Sequence, residues 1–261
     1  MKINLIKIGG SVISRESSPN KFDHSLVAHL AEQLQPFRQG LILVHGTGFV
    51  GKPPALTYGY YKTGKTQKKD SMAMIALKEE LRLLNHRFVE TLLAQSLPAI
   101  PFTVSQTFTP SMDGLKAGAE TDLYQALDSG FVPVFYGDLI TCGDGCFRVF
   151  SSDLITLLLS EVVKPDNTIF LSDVEGVYHK NTSEPIGVLN SSTAAELEDA
   201  DGDRHDVSGG MSAKVAHALK IAAYSGKCFI GSGMKPEIVG GFLRGEQVRG
   251  TRVEAGNDST R

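Results

Sequence analysis

Two lysines near opposite ends of the chain each lie close to a glycine pair, a pattern typical of phosphate binding. Lys7 ends an apolar run and is followed by Gly9-Gly10, while Lys214 lies about one helical turn after Gly209-Gly210. Glycine lets the backbone turn tightly and present its N–H groups to an anion. The first N–H groups of a helix point outward and attract negative charge. Each motif alone also fits an ordinary turn with a surface lysine.

Two carboxylates complete a set suited to phosphoryl transfer. Asp153 opens a helix after residues 150–152, and Asp173 follows an apolar strand at 168–171. By itself Asp153 could be a first-turn or capping carboxylate, worth about 1 kcal/mol, and residues 172–178 could be a simple turn. Phosphoryl transfer needs charge neutralisation and alignment with little proton chemistry. No Ser/His/Asp order or metal-ligand cluster in the sequence competes with it.

A third glycine motif, HGTGFVGK at residues 45–52, follows the predicted second strand. It matches the dinucleotide fingerprint G-x-G-x-x-G, which requires a helix directly after the glycines. We expect Pro53-Pro54 to interrupt the chain and to bias Lys52 away from the helical region. An acidic ribose-binding residue at the expected distance is also missing, which argues against a dinucleotide site.

Residues 59–66 match the Walker A pattern outright, with Lys65 as its lysine. A P-loop needs a buried strand immediately before it. Residues 53–58 make a poor strand, so we expect a basic, solvated loop. A P-loop enzyme that uses Lys65 remains an alternative.

The pattern of apolar runs predicts an α/β fold: a three-layer αβα sandwich with a mainly parallel central sheet. Strands are expected at residues 2–8, 41–45, 98–104, 132–136, 168–171 and 228–230, with a hairpin at 139–150. Helices are expected from Asp23, at 71–95, 122–128, 152–163, 193–199 and 210–224, and from Pro236. One continuous fold is predicted with an N-terminal lobe at 1–165 and a C-terminal lobe at 166–261.

Composition excludes several classes of protein. The chain has 261 residues, a formal net charge of −3, 41% hydrophobic and 21% charged residues, and 27 glycines. These values do not fit a disordered chain, and near-neutral charge argues against nucleic-acid or membrane-surface binding. We expect a cytoplasmic protein, because no signal peptide or membrane-length apolar run is visible and the three cysteines show no disulfide pattern.

The motifs, taken in order, resemble the amino acid kinase superfamily over residues 2–253. The matching segments are KIGGS at 7–11, HGTG at 45–48, GD at 137–138, FSSD at 150–153, SDVEGVY at 172–178, and DVSGGM at 206–211 with Lys214. Within that superfamily the chain is most similar to isopentenyl phosphate kinases and next to fosfomycin kinases. The glycine-methionine motif and the ending GTRV at 250–253 favour this branch.

The resemblance implies a role for each matching residue. Lys7 and Lys214 would bridge the ATP phosphates, with Asp153 orienting them. Gly9, Gly10, Asp173, Gly176, Tyr178, Gly209 and Gly210 would form the nucleotide side. His45, Gly46, Thr47, Gly48, Lys52 and Arg15 would form the acceptor side. ATP, Mg²⁺ held mainly by its phosphates, and a homodimer formed through the N-terminal lobe are also implied.

Three departures bear on the acceptor. Lys52 stands where isopentenyl phosphate kinases carry a phosphate-binding His, Thr47 replaces a glycine, and Glu16 occupies the region of a family lysine, next to Arg15. A lysine can still hold a phosphate dianion, so we expect a small phosphomonoester or phosphonate acceptor. A carboxylate acceptor that yields an acyl phosphate, and a nucleotide-binding regulator without catalysis, are the alternatives.

Overall fold

The computed structural model describes residues 1–179, 182–198 and 210–255. Within them a central sheet of eight strands has the order β3-β4-β2-β1-β7-β9-β10-β8. Neighbouring strands run parallel except that β10 is antiparallel to β9. β5 and β6 form a separate antiparallel hairpin. This architecture confirms the predicted α/β fold with a mainly parallel sheet.

The strands are short and mostly buried. Their bounds are β1 Asn4–Ile8, β2 Leu41–His45, β3 Ala99–Pro101, β4 Val132–Tyr136, β5 Asp138–Thr141, β6 Phe147–Phe150, β7 Asn167–Ser172, β8 Val188–Leu189, β9 Lys227–Ser232 and β10 Thr251–Val253. The helices are α1 Gly10–Ile13, α2 His24–Leu34, α3 Gly48–Thr57, α4 Ser71–Ala94, α5 Val104–Thr107, α6 Ala119–Asp128, α7 Ser152–Val163, α8 Ser191–Glu198, α9 Gly210–Ala222 and α10 Glu237–Arg244.

Side chains of successive strand residues point to opposite faces of the sheet, so the apolar core lies in two layers, each covered by helices. On β1, Ile6 and Ile8 pack with α2, α4 and α10, while Leu5 packs with α6 and α7 on the other face. A third apolar cluster joins β7 and β9 to α9. Successive strand residues point to opposite faces, so a sheet buried on both sides needs continuous apolar runs such as LILVH in β2.

Capping residues and apolar runs in the sequence predicted several helix and strand boundaries correctly. α2 begins after Asp23, whose side chain accepts a hydrogen bond from the Leu26 backbone N–H at 3.0 Å. β2, β4 and α7 have the predicted bounds. The predicted strand at 98–104 was too long: it ends at Pro101 and the chain then forms α5.

The expected interruption at Pro53-Pro54 was wrong, because α3 runs through both prolines from Gly48 to Thr57. Proline fixes φ near the helical value, but it lacks the N–H donor and its ring crowds the carbonyl four residues earlier. The hydrogen bonds lost are therefore those to the carbonyls one turn earlier, and the helix continues. The glycine motif at 45–52 thus does open into a helix.

The Walker-like segment has an ordered position at the hairpin. Thr66 donates its backbone N–H to the Phe147 carbonyl at 2.9 Å, and its hydroxyl accepts from the Phe147 N–H at 2.9 Å. Lys65 pairs with Arg148 in an isolated bridge. The segment lies along β6. A P-loop instead has to join a buried strand to a helix.

None of the helices in the described ranges is long and apolar enough to cross a membrane.

Candidate functional site

The carboxyl ends of β4, β2, β1 and β7 lie side by side, and their connecting turns are joined by backbone hydrogen bonds. Gly137 donates to the His45 carbonyl at 3.1 Å, Gly46 to Ile8 at 2.8 Å, and Gly9 to Leu171 at 2.7 Å. In open α/β sheets, ligands bind at this edge. The predicted glycine turns after β1, β2 and β4 are therefore brought together at one end of the sheet.

The turns after β1 and β2 touch backbone to backbone. A Cβ atom on Gly10 would lie 2.1 Å from the Gly48 nitrogen, and one on Gly46 would lie 2.5 Å from the Gly10 nitrogen. Any side chain at either position would separate the turns. Glycine is required here for close approach.

This contact gathers backbone donors at one place. Within the described residues, the N–H groups of Gly10, Thr47 and Gly48 donate no hydrogen bond to the protein. Gly48 is the first residue of α3, where the helix dipole adds partial positive charge. The paired turns therefore bring three backbone donors close together, which suits a phosphate.

Lys7 and Asp153 form an ion pair beside these turns. The Lys7 Nζ atom lies 3.0 Å from Asp153 Oδ1, and the two side chains are 6% and 20% exposed. Lys7 lies two residues after Leu5 and so faces α7, which begins with Asp153 in its first turn. Ser151 caps that helix by accepting a hydrogen bond from the Leu154 N–H at 3.1 Å. The structure thus joins two residues separated by 146 positions in the sequence.

His45 lies beneath the second turn and is fully buried. Its Nδ1 atom is 2.9 Å from the Gly46 carbonyl oxygen, and its Nε2 atom is 3.1 Å from Asn85 Oδ1. Burial lowers the pKa of His45 below its usual value, which favours a neutral ring. His45 is therefore enclosed below the turn, and its predicted acceptor-side role stays a prediction.

The other acceptor-side residues divide into two groups. Thr47, at the N-cap of α3, is half-buried, and Lys52 is exposed on the same helix. Arg15 forms an ion pair with Asp23, the residue that caps α2. The structure therefore ties Arg15 to the start of α2, and its predicted contact with the acceptor stays a prediction.

The nucleotide-side residues follow β7. Asp173 is exposed, Gly176 is buried and Tyr178 is half-buried. A Cβ atom on Gly176 would lie 2.7 Å from Thr251 Oγ1, so this turn packs against β10. Glu175 pairs with Lys235 and Arg249, each at 2.6 Å, and both cations lower the pKa of its carboxyl group.

The structure describes only part of the Gly209-Gly210 motif. α9 begins at Gly210, as predicted, and contains Lys214. Gly209 lies outside the described residues, as does the side chain of Lys214. Their predicted contacts with nucleotide phosphates stay predictions.

Sequence reasoning missed three polar residues at this edge. Asn85 and Lys78 lie on α4, and Lys78 donates to Asp138 Oδ2 at 2.5 Å and to the Leu139 carbonyl at 2.7 Å. Asp138 is buried, and burial raises its pKa although Lys78 opposes the shift. Lys235 follows β9. The GD motif at 137–138 was visible in the sequence, but nothing local indicated which cation would pair with its carboxylate.

In the part of the chain that the structure describes, no group of three or more His, Cys, Asp or Glu side chains could hold a metal ion. Cys142, Cys146 and Cys228 are free thiols.

Comparison with known proteins places the chain among kinases. Residues 2–232 match the model of the amino acid kinase family. The chain is 30% identical over 269 residues to the isopentenyl phosphate kinase of Methanothermobacter thermautotrophicus, covering 95% of this chain and 98% of that protein. It is 26% identical over 238 residues to the isopentenyl phosphate kinase of Thermoplasma acidophilum, covering 90% of this chain and 94% of that protein.

Solved structures agree on the fold. A crystal structure of the Thermoplasma acidophilum isopentenyl phosphate kinase in a product complex has a TM-score of 0.78 at 22% identity, covering 97% of this chain and 100% of that one. At this level of identity the likeness shows a shared fold.

Proposed function

The chain belongs to the amino acid kinase family of small-molecule phosphotransferases, and from this premise we propose that it transfers the γ-phosphoryl group of ATP to isopentenyl phosphate or a closely similar small phosphomonoester. The observation that carries the proposal is the Lys7–Asp153 ion pair beside two touching glycine turns. The relatives named isopentenyl phosphate kinase, which match nearly the full chain, support this acceptor.

The geometry suits transfer between two phosphate groups. The transferred group carries its charge on three equatorial oxygens, so catalysis depends on positioned donors and cations. Lys7 supplies a buried ammonium group whose direction is fixed by Asp153. The N–H groups of Gly10, Thr47 and Gly48 supply donors on the other side of the same space. In a site that excludes water such donors act more strongly than in solution.

On the acceptor side, Lys52 would replace the family's histidine as the group that holds the acceptor phosphate. It is exposed on α3, one turn after Gly48, at the positive end of that helix. A lysine is a point charge that can bind a phosphate dianion. The charge at this position therefore favours an acceptor that already carries a phosphate or phosphonate group.

On the donor side, Lys214 would meet the ATP phosphates from α9, with Gly9, Gly209 and Gly210 as backbone contacts. Asp173, Gly176 and Tyr178 would border the nucleotide at the end of β7. Mg²⁺ would be held mainly by ATP oxygens and would neutralise charge on the phosphates. Asp153 is engaged by Lys7.

We also propose a homodimer formed through the N-terminal lobe, a cytoplasmic location and no nucleic-acid partner. The net charge of −3 supports the last of these, since nucleic-acid binding needs a basic excess. Free thiols at all three cysteines are consistent with a reducing compartment.

The proposal is tested by ADP release from purified protein with ATP, Mg²⁺ and a panel of acceptors. The panel contains isopentenyl phosphate, other phosphomonoesters, phosphonates and free amino acids. We expect turnover with isopentenyl phosphate and a diphosphate product in the ³¹P NMR spectrum. Hydroxamate formation with an amino acid would instead reveal a carboxylate acceptor. Nucleotide binding without ADP release across the panel would indicate a regulator and contradict the proposal.

A further inference from the structure

The buried ring of His45 holds the carbonyl of the next residue, Gly46. Nδ1 lies 2.9 Å from that carbonyl oxygen. The ring packs against Phe88 at 4.6 Å between centroids and stacks on Tyr136 at 5.8 Å with planes 17° apart. These two aromatic contacts restrict the rotation of the His45 ring, so its hydrogen bonds have fixed directions.

The contacts determine where the ring proton lies. A neutral imidazole has one N–H, and the Gly46 carbonyl can only accept a hydrogen bond. The proton is therefore on Nδ1, and Nε2 is left as an acceptor. Asn85 meets that requirement by turning its NH₂ group toward Nε2, a rotation that exchanges two atoms of nearly identical shape. The Gly46 carbonyl thus selects this tautomer, and Asn85 stabilises it by giving Nε2 a hydrogen-bond partner.

The held carbonyl also fixes the next N–H group. In a trans peptide the carbonyl of Gly46 and the N–H of Thr47 point in opposite directions. With the carbonyl drawn toward the buried ring, the Thr47 N–H points away from the core. The Thr47 nitrogen lies 2.9 Å from where a Cβ on Gly10 would be, at the contact of the two glycine turns.

Gly46 makes such a restraint necessary. A glycine has access to both signs of φ, so the peptide that follows it can reorient with little steric penalty. A reoriented peptide would present a carbonyl oxygen to the phosphate in place of an N–H. Nothing in the turn's own sequence prevents this, whereas the His45 ring does.

We propose that His45 and Asn85 are positioning residues that orient the Gly46–Thr47 peptide so that the Thr47 N–H faces the acceptor phosphate. This inference rests on the proposed function for the identity of the bound group. Because Asn85 belongs to α4 and His45 to β2, the relay also connects the long helix of the N-terminal lobe to the turn.

The kinetic test compares two substitutions at one position. An Asn side chain can place an N–H where His has Nδ1, whereas Gln places one where His has Nε2. His45→Gln should raise the KM for the phosphate acceptor about tenfold and lower kcat, with the KM for ATP within about twofold. His45→Asn should stay within about threefold of the wild type for all three constants. Equal effects of the two substitutions would overturn the proposal.

Asn85→Leu tests the second member of the relay without touching the turn. We expect the acceptor KM to rise about threefold to fivefold, because Nε2 then has no hydrogen-bond partner and the ring that holds the Gly46 carbonyl is placed less firmly. His24→Asn is the matched control, since His24 bonds Thr91 on the outer side of α4. It should leave every constant unchanged.

Two measurements decide the inference without any turnover. In the wild-type protein, ¹⁵N chemical shifts of the His45 ring should report the Nδ1–H tautomer; the Nε2–H form would overturn the proposal even if every variant failed to fold. Amide exchange at Thr47 and Gly48 should rise at least tenfold in His45→Gln relative to the wild type. If the wild type phosphorylates no acceptor, the proposed function fails, while the tautomer and exchange results still decide the role of His45.

Discussion

Lys7 and Asp153 meet across the gap between the end of β1 and the first turn of α7, with Nζ and Oδ1 3.0 Å apart. Both ends of this contact have a local cause. Strand alternation turns Lys7 toward α7, and the serine cap at Ser151 fixes where that helix starts. The start of α7 lies next to the second glycine turn, because a Cβ on Gly137 would lie 3.0 Å from Thr47 Cγ2 and 3.7 Å from the Ser152 nitrogen. A charged group is thus held rigidly where the chain also presents backbone donors.

Lys7→Met should abolish most catalysis. Loss of a positioned cation at a transferring phosphoryl group lowers kcat by about 10²- to 10³-fold. Lys2→Met, at an exposed lysine five residues earlier, is the matched control and should be neutral. Steady-state kinetics with ATP and the acceptor give the measurement. A Lys7→Met protein with full turnover would contradict the assignment of Lys7.

Asp153→Asn separates charge from shape at the other end of the pair. The amide still reaches Lys7 but no longer attracts it electrostatically, so the ammonium group is less well fixed. We expect kcat to fall about tenfold with little change in either KM. Unchanged kcat, in a protein whose melting temperature is preserved, would show that Asp153 does not orient Lys7.

Lys52→Ala tests the acceptor side. Removing this cation should raise the acceptor KM about tenfold, because one charge-assisted contact with the acceptor phosphate is lost. The KM for ATP should stay within about twofold of the wild type. Lys52→His should recover much of the acceptor affinity at mildly acidic pH, where imidazole is charged.

Lys65→Ala is the control for Lys52 because it removes a nearby exposed lysine from the Walker-like segment. Since that segment pairs with β6 through Thr66, we expect no loss of ATP affinity. Loss of ATP binding in Lys65→Ala, measured by calorimetry, would favour a P-loop and contradict the present assignment.

How far the sequence predicted this structure depends on the range of the interactions involved. The start of α2 at Asp23 and the bounds of β2 and α7 follow from capping and apolar runs within a few residues, and they were predicted correctly. The helix through Pro53-Pro54 was missed because local propensity disfavours it. The helix forms nonetheless, and it packs against α1 and α4.

The site shows the same limit. The glycine motifs and Lys7 could be read directly, because close backbone approach and phosphate binding need those residue types. The partner of His45 could not, since Asn85 lies 40 residues away on another element. Nor did the sequence indicate that Asp138 would pair with Lys78, at a separation of 60 residues. Such pairings depend on the register between α4 and the strand ends.

Lys78→Met should destabilise the fold in a pH-dependent way. It leaves the buried Asp138 carboxylate without its cation, which costs about 2 kcal/mol or more at neutral pH. Burial already raises the pKa of Asp138, and losing Lys78 raises it further. A carboxyl group whose pKa is raised in the folded state stabilises that state at pH values below its ordinary pKa near 3.8. This stabilisation is lost as the pH rises through the folded-state pKa.

The deficit of Lys78→Met should therefore shrink on acidification, because Asp138 then takes up a proton in the folded state. Urea denaturation of variant and wild type at neutral pH and at about pH 5 measures this. Arg82→Met, one turn further on α4 in an exposed pair with Glu79, is the control and should change stability by about 0.5 kcal/mol or less at either pH. A deficit that is independent of pH would show that Asp138 is not the group affected.

Gly10→Ala should disrupt the contact between the two glycine turns. The new Cβ would lie 2.1 Å from the Gly48 nitrogen and 2.9 Å from the Thr47 nitrogen, both backbone atoms that cannot move aside independently. We expect a loss of stability of about 2 kcal/mol or more and a fall in kcat of at least about tenfold, because the donors on the two turns separate. Gly187→Ala is the matched control: a Cβ there meets nothing within 4 Å, and its effect should be within about 0.5 kcal/mol. Thermal unfolding and initial rates on both variants give the comparison. If Gly10→Ala were as stable and as active as Gly187→Ala, the two turns would not need to touch for this chain to work as a kinase.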